Sequence, residues 1–295
     1  MQVKRFGRIH VIVGQNNGKY PYGNSILIDD ETTALIDPSL TIVELDGRVS
    51  PRRVDCLFNS HYHEDHFAGN FLFPDALLHI HSLDVPAMRS LDTLFDYYGM
   101  DSLATEAWKP VVVEKFHYQP RERIVPLRDG DVFDFGHTRM RVVHTPGHTA
   151  GHCCFFFENE GLLFVGDWDL TWFGPVYADT TSDLEATIAS LHRIRALGAQ
   201  TLVSFHEAGI CTENQAEVVS RYLSVVYERE QALLDFLALP RTLEEIVKRR
   251  IIYRKDYDVI WIDAVERNSM LLHLRKLMRE GKVRRDGERY RRDAS

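Results

Sequence analysis

The 295-residue sequence predicts an α/β protein whose sheets are covered by helices, followed by a small, mainly helical domain. Short apolar runs of strand length, bounded by polar turns, recur through the first 204 residues. Segments of helical period lie between some of these runs, and helical patterns dominate after residue 206. Hydrophobic residues form 44% of the chain and charged residues 26%, which is typical of a globular protein with a sizeable core.

The apolar runs define the predicted strands. Residues 25–28 and 33–36 flank a polar turn and are expected to pair as a hairpin, and the first 14 residues alternate in the manner of a strand. Further strands are predicted at residues 54–58, 77–80, 132–135, 139–144, 153–157, 162–165 and 201–204. The clearest helix covers residues 182–197, with Ser182 as its N-cap, Glu185 three residues later and Gly198 at its C-terminal end.

Residues 70–118 are harder to interpret because they carry many aromatic side chains without a clear period. Clustered aromatic residues usually form core, but they also wall substrate pockets or build lids. Both interpretations of this segment stay open.

The C-terminal region has the outline of a winged-helix-like domain. Residues 212–239 predict one long helix that Pro240 ends. A capping box at 242–245 opens a short helix, a second helix is expected at about 263–280, and a hairpin follows over 282–292. The predicted division is a body at 1–212, a connecting helix at 213–240 and the small domain at 241–295.

The small domain differs from the rest of the chain in net charge. Residues 241–295 contain 16 basic and 10 acidic side chains, whereas the preceding residues contain 19 basic and 33 acidic ones. A basic domain of this kind either binds an anionic partner or is only a mildly basic helical domain. The sequence favours neither interpretation.

The sequence contains no apolar run long enough to span a membrane, and its first 14 residues lack the features of a signal peptide. We therefore expect a cytoplasmic protein with no membrane partner. The cysteines lack CxxC spacing, which predicts reduced thiols rather than a disulfide framework. They are Cys56, Cys153, Cys154 and Cys211.

The segment SHYHEDHFAG, residues 60–69, concentrates groups that bind metals. His61, His63, Asp65 and His66 fall within six residues, directly after a predicted strand. Imidazole and carboxylate suit zinc and other first-row metals, and burying four such groups without a metal would be costly. The segment therefore predicts metal ligands.

Three more candidate ligands follow later strands. His148 lies in TPGHTAGH after the strand at 139–144, Asp167 follows the run LLFV, and His206 follows TLVS. Open α/β sheets gather their sites at the carboxyl ends of strands. We therefore expect these three side chains to meet the first four.

In these motifs the sequence resembles the metallo-β-lactamase superfamily, over about residues 1–212. HYHEDH matches its H-x-H-x-D-H signature, TPGHTAGH its third-ligand motif and Gly166-Asp167 its bridging aspartate. The resemblance implies a four-layer αβ/βα sandwich with a small C-terminal winged-helix-like domain. It assigns the first of two divalent ions to His61, His63 and His148, the second to Asp65, His66 and His206, and a bridge between them to Asp167.

The same resemblance implies the chemistry. A hydroxide held between two metal ions would attack a carbonyl or phosphorus, and Asp65 would orient it and shuttle its proton. Zinc is the expected metal, with manganese and iron as alternatives. The resemblance implies that Asp37 supports the histidine loop, although an aspartate before a proline equally suits a turn. His152, four residues after His148, is expected not to be a ligand and is a candidate to support one. Glu64 and Glu207 are expected to be bystanders.

The tail is similar to the winged-helix-type extension of a branch that includes proteins called β-lactamase-like protein 2, some of which are endoribonucleases. It would carry a basic wing formed by Arg284, Arg285, Arg289, Arg291 and Arg292. The alternative, which we favour, is that this domain packs on the body, narrows the cleft or forms a homodimer, since the body is acidic.

These features favour a hydrolase of a small ester, lactone or thioester, with a small-molecule substrate. One alternative is a metal-dependent endoribonuclease whose tail holds RNA. Another is an iron-dependent oxidoreductase in the same pocket. A closed structural metal site is disfavoured because such sites are usually rich in sulfur.

Overall fold

The computed structural model describes residues 2–46, 48, 53–255 and 260–293. It contains two facing sheets with helices on their outer faces, and a small third sheet within the C-terminal domain. This arrangement confirms the predicted α/β class and the small C-terminal winged-helix-like domain.

The first sheet has the strand order β1-β2-β3-β4-β5-β6-β7. Its early strands pair antiparallel, and β4 to β7 run parallel. Its strands are β1 Val3–Phe6, β2 Ile9–Ile12, β3 Ser25–Asp29, β4 Thr33–Ile36, β5 Cys56–Phe58, β6 Leu77–His81 and β7 Ile124–Leu127.

The second sheet has the order β13-β12-β11-β10-β9-β8, in which β11 and β12 run parallel. The third sheet has the order β14-β16-β15. The strands are β8 Val132–Asp134, β9 Arg139–His144, β10 Cys153–Phe157, β11 Leu162–Phe164, β12 Thr201–Val203, β13 Ile210–Cys211, β14 Arg241–Thr242, β15 Val283–Asp286 and β16 Arg289–Arg292.

The helices cover the outer faces and connect the sheets. They are α1 Leu40–Glu44, α2 Glu64–Phe67, α3 Val85–Arg89, α4 Leu91–Tyr98, α5 Ser102–Glu114, α6 Leu184–Ala196, α7 Gln215–Phe236, α8 Leu243–Lys248 and α9 Ile262–Arg279, with short 3-10 turns at Gln15–Gly18 and Asn70–Leu72. Among the described helices, none combines the length and apolarity needed to cross a bilayer.

Alternation along the strands builds the layers. Ile26 and Ile28 of β3 face Phe155 and Phe157 of β10 in a core between the two sheets, whereas Leu27 points to the opposite face. On that outer face, the first sheet packs against α1 and α3–α5. The outer face of the second sheet packs against α6 and α7. The order helix, sheet, sheet, helix is the predicted four-layer sandwich.

Two local predictions are wrong. The first 14 residues form two strands rather than one, because Gly7 takes a positive φ of 62° and turns the chain between β1 and β2. The N-cap of α6 is Asp183 and not Ser182, since the Asp183 carboxylate accepts from the amide of Ala186. The Ser182 hydroxyl instead donates to the carbonyl of His148 and ties α6 to the ligand loop.

The ambiguous segment 70–118 serves both of the roles considered for it. Phe95 and Phe116 are buried in the core beneath the first sheet. Tyr98 and Trp108, which contact the same core, also line a cavity. Short helices broken by Ser90 and Gly99 explain why no long period is visible in the sequence.

The C-terminal domain follows its predicted outline. The capping box of Thr242 and Glu245 is present at the start of α8, and β15 and β16 pair as the expected hairpin. Its own apolar core joins the end of α7 to α8, α9 and the hairpin, through Leu233, Ile246, Leu274 and Tyr290. The cysteines are all free, as predicted.

Candidate metal centre

The strand directions bring the candidate ligands to one edge. The loop after β5 carries His61 and His63 and leads into α2, which carries Asp65 and His66. In the second sheet, β9, β11 and β12 point the same way, so the loops carrying His148, Asp167 and His206 leave from the same edge.

The first cluster consists of His61, His63, His148 and Asp167, whose ligand atoms lie within 4.8 Å of one another. Nε2 of His148 is 3.2 Å from Nε2 of His61 and 3.0 Å from Nδ1 of His63. Oδ2 of Asp167 is 3.3 Å from Nε2 of His148. These atoms therefore converge on one point.

The second cluster consists of Asp65, His66 and His206. Oδ2 of Asp65 lies 3.0 Å from Nε2 of His206, and Oδ1 of Asp167 lies 2.8 Å from Nε2 of His66. Asp167 thus presents one carboxylate oxygen to each cluster.

The chemistry of the donor set fits divalent ions. Oδ2 of Asp65, Nε2 of His66 and Oδ1 of Asp167 are buried and have no hydrogen-bond partner, although they lie close to other ligand atoms. Buried polar atoms are nearly always paired, so three such atoms together need another partner. A set made only of nitrogen and oxygen donors suits zinc, manganese or iron.

The far ring nitrogen of every histidine in the clusters bonds to an oxygen, which directs the other nitrogen into the cluster. At Ser60 the neighbouring groups define which atom donates and which accepts. Its hydroxyl donates to Asp37, 2.6 Å away, so it accepts from Nδ1 of His61. The other contacts are His63 Nε2 to Asp179 at 2.7 Å, His66 Nδ1 to Asp37 at 2.8 Å, His148 Nδ1 to the Val176 carbonyl at 2.9 Å and His206 Nδ1 to the Gly18 carbonyl at 2.9 Å.

The family comparison agrees with this geometry. A family model described as the metallo-beta-lactamase superfamily matches residues 20–206, which is more than half of the chain. The chain belongs to the metallo-β-lactamase superfamily. A second model, the beta-lactamase associated winged helix domain, matches residues 242–292 of this metallo-β-lactamase superfamily member.

Curated relatives share only part of their length with this superfamily member. A hydroxyacylglutathione hydrolase of Francisella philomiragia is 28% identical over 57% of the chain and 52% of the relative. A beta-lactamase-like protein 2 homolog of Drosophila melanogaster is 26% identical over 78% of the chain and 70% of the relative. An atrochrysone carboxyl ACP thioesterase of Aspergillus fumigatus is 26% identical over 62% of the chain and 47% of the relative. The chain thus spans about half the length of the first and third of these relatives.

Solved structures share the fold. A metallo-beta-lactamase family protein from Thermus thermophilus superimposes with a TM-score of 0.74 at 24% identity, covering 97% of this chain and 99% of the other. A protein solved in a di-iron-bound form gives a TM-score of 0.53 at 25% identity, covering 68% of this chain and 93% of the other. The first match includes the C-terminal domain.

His152, which is expected not to be a ligand, lies beneath Asp167. Its Nε2 accepts from the Asp167 amide at 3.2 Å, and its Nδ1 bonds to the Thr145 hydroxyl at 3.0 Å. Both ring nitrogens are therefore engaged. Gly166 permits this approach, since a Cβ there would stand 2.6 Å from Nε2 of His152 and its φ is +54°.

Asp179 is a residue of the candidate site that the sequence did not reveal. It lies 116 residues beyond His63, in a segment without a motif. Its carboxylate accepts from His63 and from the hydroxyl of Tyr62. Burial alone would lower the pKa of His63, but the Asp179 carboxylate raises it to about 9.

Residues 173–182, which we call the strap, hold two ligands at once. Val176 and Asp179 bind His148 and His63, as described above. The strap in turn is held from α7 by Arg229, whose guanidinium donates to the carbonyls of Phe173 and Pro175 at 2.7 and 2.5 Å.

The C-terminal domain holds the other half of the strap. Asn268 of α9 donates to the carbonyl of Ala178 at 2.7 Å, and Ser269 donates to that of Tyr177 at 3.1 Å. The Tyr177 hydroxyl is 2.9 Å from Nε2 of His273. The small domain is thereby connected to the histidines of the first cluster.

Glu64, which is expected to be a bystander, lies in the candidate site. It is buried, and its carboxylate accepts from the hydroxyls of Tyr20 at 2.8 Å and Tyr98 at 2.5 Å. These three side chains line a cavity of about 280 Å³ beside the clusters. Glu207, by contrast, is exposed and does not line this cavity.

Burial and charge set the protonation of this site. Burial lowers the pKa of His206, but the Asp167 carboxylate raises it to about 10. Burial raises the pKa of Asp169, a further cavity carboxyl, to about 8. Protons on such imidazoles compete with metal ions, so metal affinity is expected to rise with pH.

Proposed function

We propose that the chain is a dinuclear metal-dependent hydrolase that cleaves a small ester, lactone or thioester. The observation that carries this proposal is Asp167, which presents one oxygen to each of two adjoining ligand clusters. In this proposal His61, His63 and His148 hold the first ion, Asp65, His66 and His206 hold the second, and Asp167 belongs to both.

When bound, the ions polarise the carbonyl group and lower the pKa of water to near neutrality. The residues of the chain orient the ligand nitrogens and hold a proton. The far-side hydrogen bonds fix each imidazole in the tautomer that leaves its inner nitrogen free. The Oδ2 atom of Asp65 lies 3.0 Å from Nε2 of His206 but makes no hydrogen bond. We propose that Asp65 holds and moves a proton at this oxygen.

Thioesters are favoured among these substrates because two curated relatives are named as a hydroxyacylglutathione hydrolase and an ACP thioesterase. The test is hydrolysis of matched ester, lactone and thioester substrates by zinc-loaded protein. We expect His63→Ala to lower kcat/KM at least a hundredfold. His137 is an exposed histidine in the loop between β8 and β9, and kcat/KM of His137→Ala should stay within twofold of that of the unsubstituted chain. Equal rates in both variants would contradict the proposal.

Endoribonuclease activity is the weaker candidate because the wing is largely neutralised. Arg284 pairs with Asp293 at 3.3 Å and Arg289 lies 3.6 Å from Glu245. Arg292 lies 3.8 Å from Asp235. Paired arginines in a domain that is joined to an acidic body are poorly suited to holding a polyanion.

The metal, the domain limits and the cellular setting are also proposals. We propose zinc, with iron as the alternative that the di-iron neighbour raises and that would permit oxidoreductase chemistry. We propose a catalytic domain at 1–212, a connecting helix at 213–240 and a winged-helix-like domain at 241–295. A cytoplasmic location and a homodimer stay predictions.

A further inference from the structure

The cavity beside the clusters is lined by two kinds of side chain. Near the ligand clusters its lining is polar and consists of carboxyl and imidazole groups, from Glu64, Asp65, Asp167, Asp169, Asp179, His63, His148 and His206. The remaining lining is apolar or aromatic, formed by Tyr20, Tyr98, Met100, Trp108, Val176, Ala178, Tyr253, Trp261, Ala264 and Val265. The cavity therefore joins a reactive polar part to an apolar part.

Within the described residues, no lysine or arginine lines this cavity, and residues 256–259, between Tyr253 and Trp261, contain neither by sequence. The histidines that line the cavity belong to the two ligand clusters, at its polar end. An anionic group placed against the apolar wall would therefore lose its hydration and find no lysine or arginine there to pair with. Burying an unpaired charge is costly, whereas burying apolar surface is favourable.

Part of the apolar wall comes from the C-terminal domain. Trp261, Ala264 and Val265 belong to the start of α9 and the turn before it. The ring of Trp261 lies 5.9 Å from that of Tyr253, which in turn lies 5.3 Å from Phe173 of the strap. Tyr253 and Trp261 of this aromatic row present an apolar surface to the cavity.

We propose that the cavity selects neutral substrates that place an apolar group of about the size of one aromatic ring against the wall formed by the C-terminal domain. This inference rests on the proposed hydrolase function and assigns its substrate class. A cavity of about 280 Å³ lies at the lower end of small-molecule sites, and suits one such group beside the reacting carbonyl. The C-terminal domain acts as a specificity element that excludes anions.

The first test compares three thioesters of one neutral thiol on the full zinc-loaded chain. Their acyl groups are phenylacetyl, 4-carbamoylphenylacetyl and 4-carboxyphenylacetyl. The last two match in shape and differ in charge, so they separate charge from size. We expect kcat/KM for the carboxylate to be at least tenfold below that for the carboxamide. Values within twofold of each other, or a preference for the carboxylate, would overturn the inference.

The second test introduces a positive charge into the apolar wall of the cavity. Val265→Lys adds a cation to the lining and should reduce the gap between carboxylate and carboxamide at least fivefold. Leu103→Lys adds the same charge at a position on α5 that is 77% exposed and outside the cavity, and should leave the gap unchanged. An unchanged gap in folded, metal-loaded Val265→Lys would count against the inference.

If Val265→Lys does not fold, Trp261→Ala provides the same test. This variant should lower kcat/KM for the phenylacetyl thioester at least tenfold while the acetyl thioester, which is too short to reach the wall, changes less than threefold. An equal loss for both substrates would contradict a specificity role for Trp261.

Calorimetry with uncleavable amides separates this inference from the proposed function. Tighter binding of the carboxamide analogue than of the carboxylate analogue supports the inference even if no thioester is cleaved, in which case only the proposed function fails. Cleavage of all three thioesters at equal rates would sustain the proposed function and overturn the inference.

Discussion

At the residue scale, each cluster histidine depends on the oxygen behind it. Asp179 accepts from Nε2 of His63 and thereby leaves Nδ1 to face His148 and the first cluster. Partners of this kind fix both the tautomer and the ring orientation of a ligand. The affinity of the site for metal should therefore respond to residues that touch no ion.

We expect Asp179→Asn to weaken metal binding about tenfold to a hundredfold, because an amide is a poorer acceptor for the His63 N–H. The measurement is competition with a chelator at fixed pH. Asp183→Asn, at an N-cap with no contact to a cluster histidine, is the matched control and should not change affinity. Unaltered affinity in Asp179→Asn would remove Asp179 from the site.

Asp84 gives a prediction about pH. It is fully buried beside the His148 loop, where Thr149 donates to its Oδ2 atom at 3.1 Å. Burial raises the pKa of Asp84 to about 7. A carboxyl whose pKa is raised on folding stabilises the fold below its unfolded pKa, and this contribution is lost as pH rises to the folded pKa.

The free energy of unfolding of metal-free protein should therefore fall between about pH 4 and pH 7, by at most about 4 kcal/mol from this group. Asp84→Asn cannot ionise, so its stability relative to the unsubstituted chain should increase across this window. Denaturant unfolding at pH 5 and pH 8 measures both. Parallel stability profiles for the two proteins would show that Asp84 is not the group responsible.

The seven candidate ligands could be identified from the sequence because they follow apolar strands and three of them share one short motif with His61. Asp37 could also be identified, through the resemblance. The contacts of Asp179 and Arg229 could not be predicted, because they join residues 116 and 54 apart and the segment that contains Asp179 has no motif. The contacts of Glu64 could not be predicted either, because only the folded chain brings Tyr20 and Tyr98 to its carboxylate.

At the element scale, the strap links the ligands to the rest of the molecule. Arg229 is 2% exposed and donates to two strap carbonyls and to the hydroxyl of Tyr177. We expect Arg229→Met to lower the free energy of unfolding by about 3 kcal/mol, because it leaves buried acceptors without a donor.

The same variant should accelerate amide hydrogen exchange over residues 173–182 and weaken metal binding. Arg221→Met, an exposed position on α7, is the control for loss of charge and should change neither. If Arg229→Met is destabilised but binds metal as tightly as before, the strap does not position the ligands.

The element boundaries show where sequence patterns are sufficient. Alternation and turn residues located most strands, and the capping box located α8. The pattern over the first 14 residues did not reveal the reversal at Gly7, because both strands share one apolar face. At α6 the N-cap is Asp183, one residue after the predicted Ser182, whose hydroxyl donates to the carbonyl of His148.

At the scale of the whole molecule, the C-terminal domain is expected to serve the catalytic site rather than to bind RNA. Replacing Arg284, Arg285 and Arg291 together by glutamate should leave kcat/KM for small thioesters within twofold, since none of them lines the cavity. Thioester and single-stranded RNA cleavage are measured on the same samples. Loss of a metal-dependent RNA cleavage in this variant would favour the endoribonuclease.

A dinuclear site between the two sheets is tested by the metal content of the purified chain, measured by elemental analysis. We expect about two ions per chain after loading, falling at least to about one in Asp167→Ala, whose carboxylate faces both clusters. Thioester cleavage should fall with the metal. Fewer than about half an ion per chain after incubation with zinc, manganese or iron, in protein that is folded, would contradict a dinuclear site.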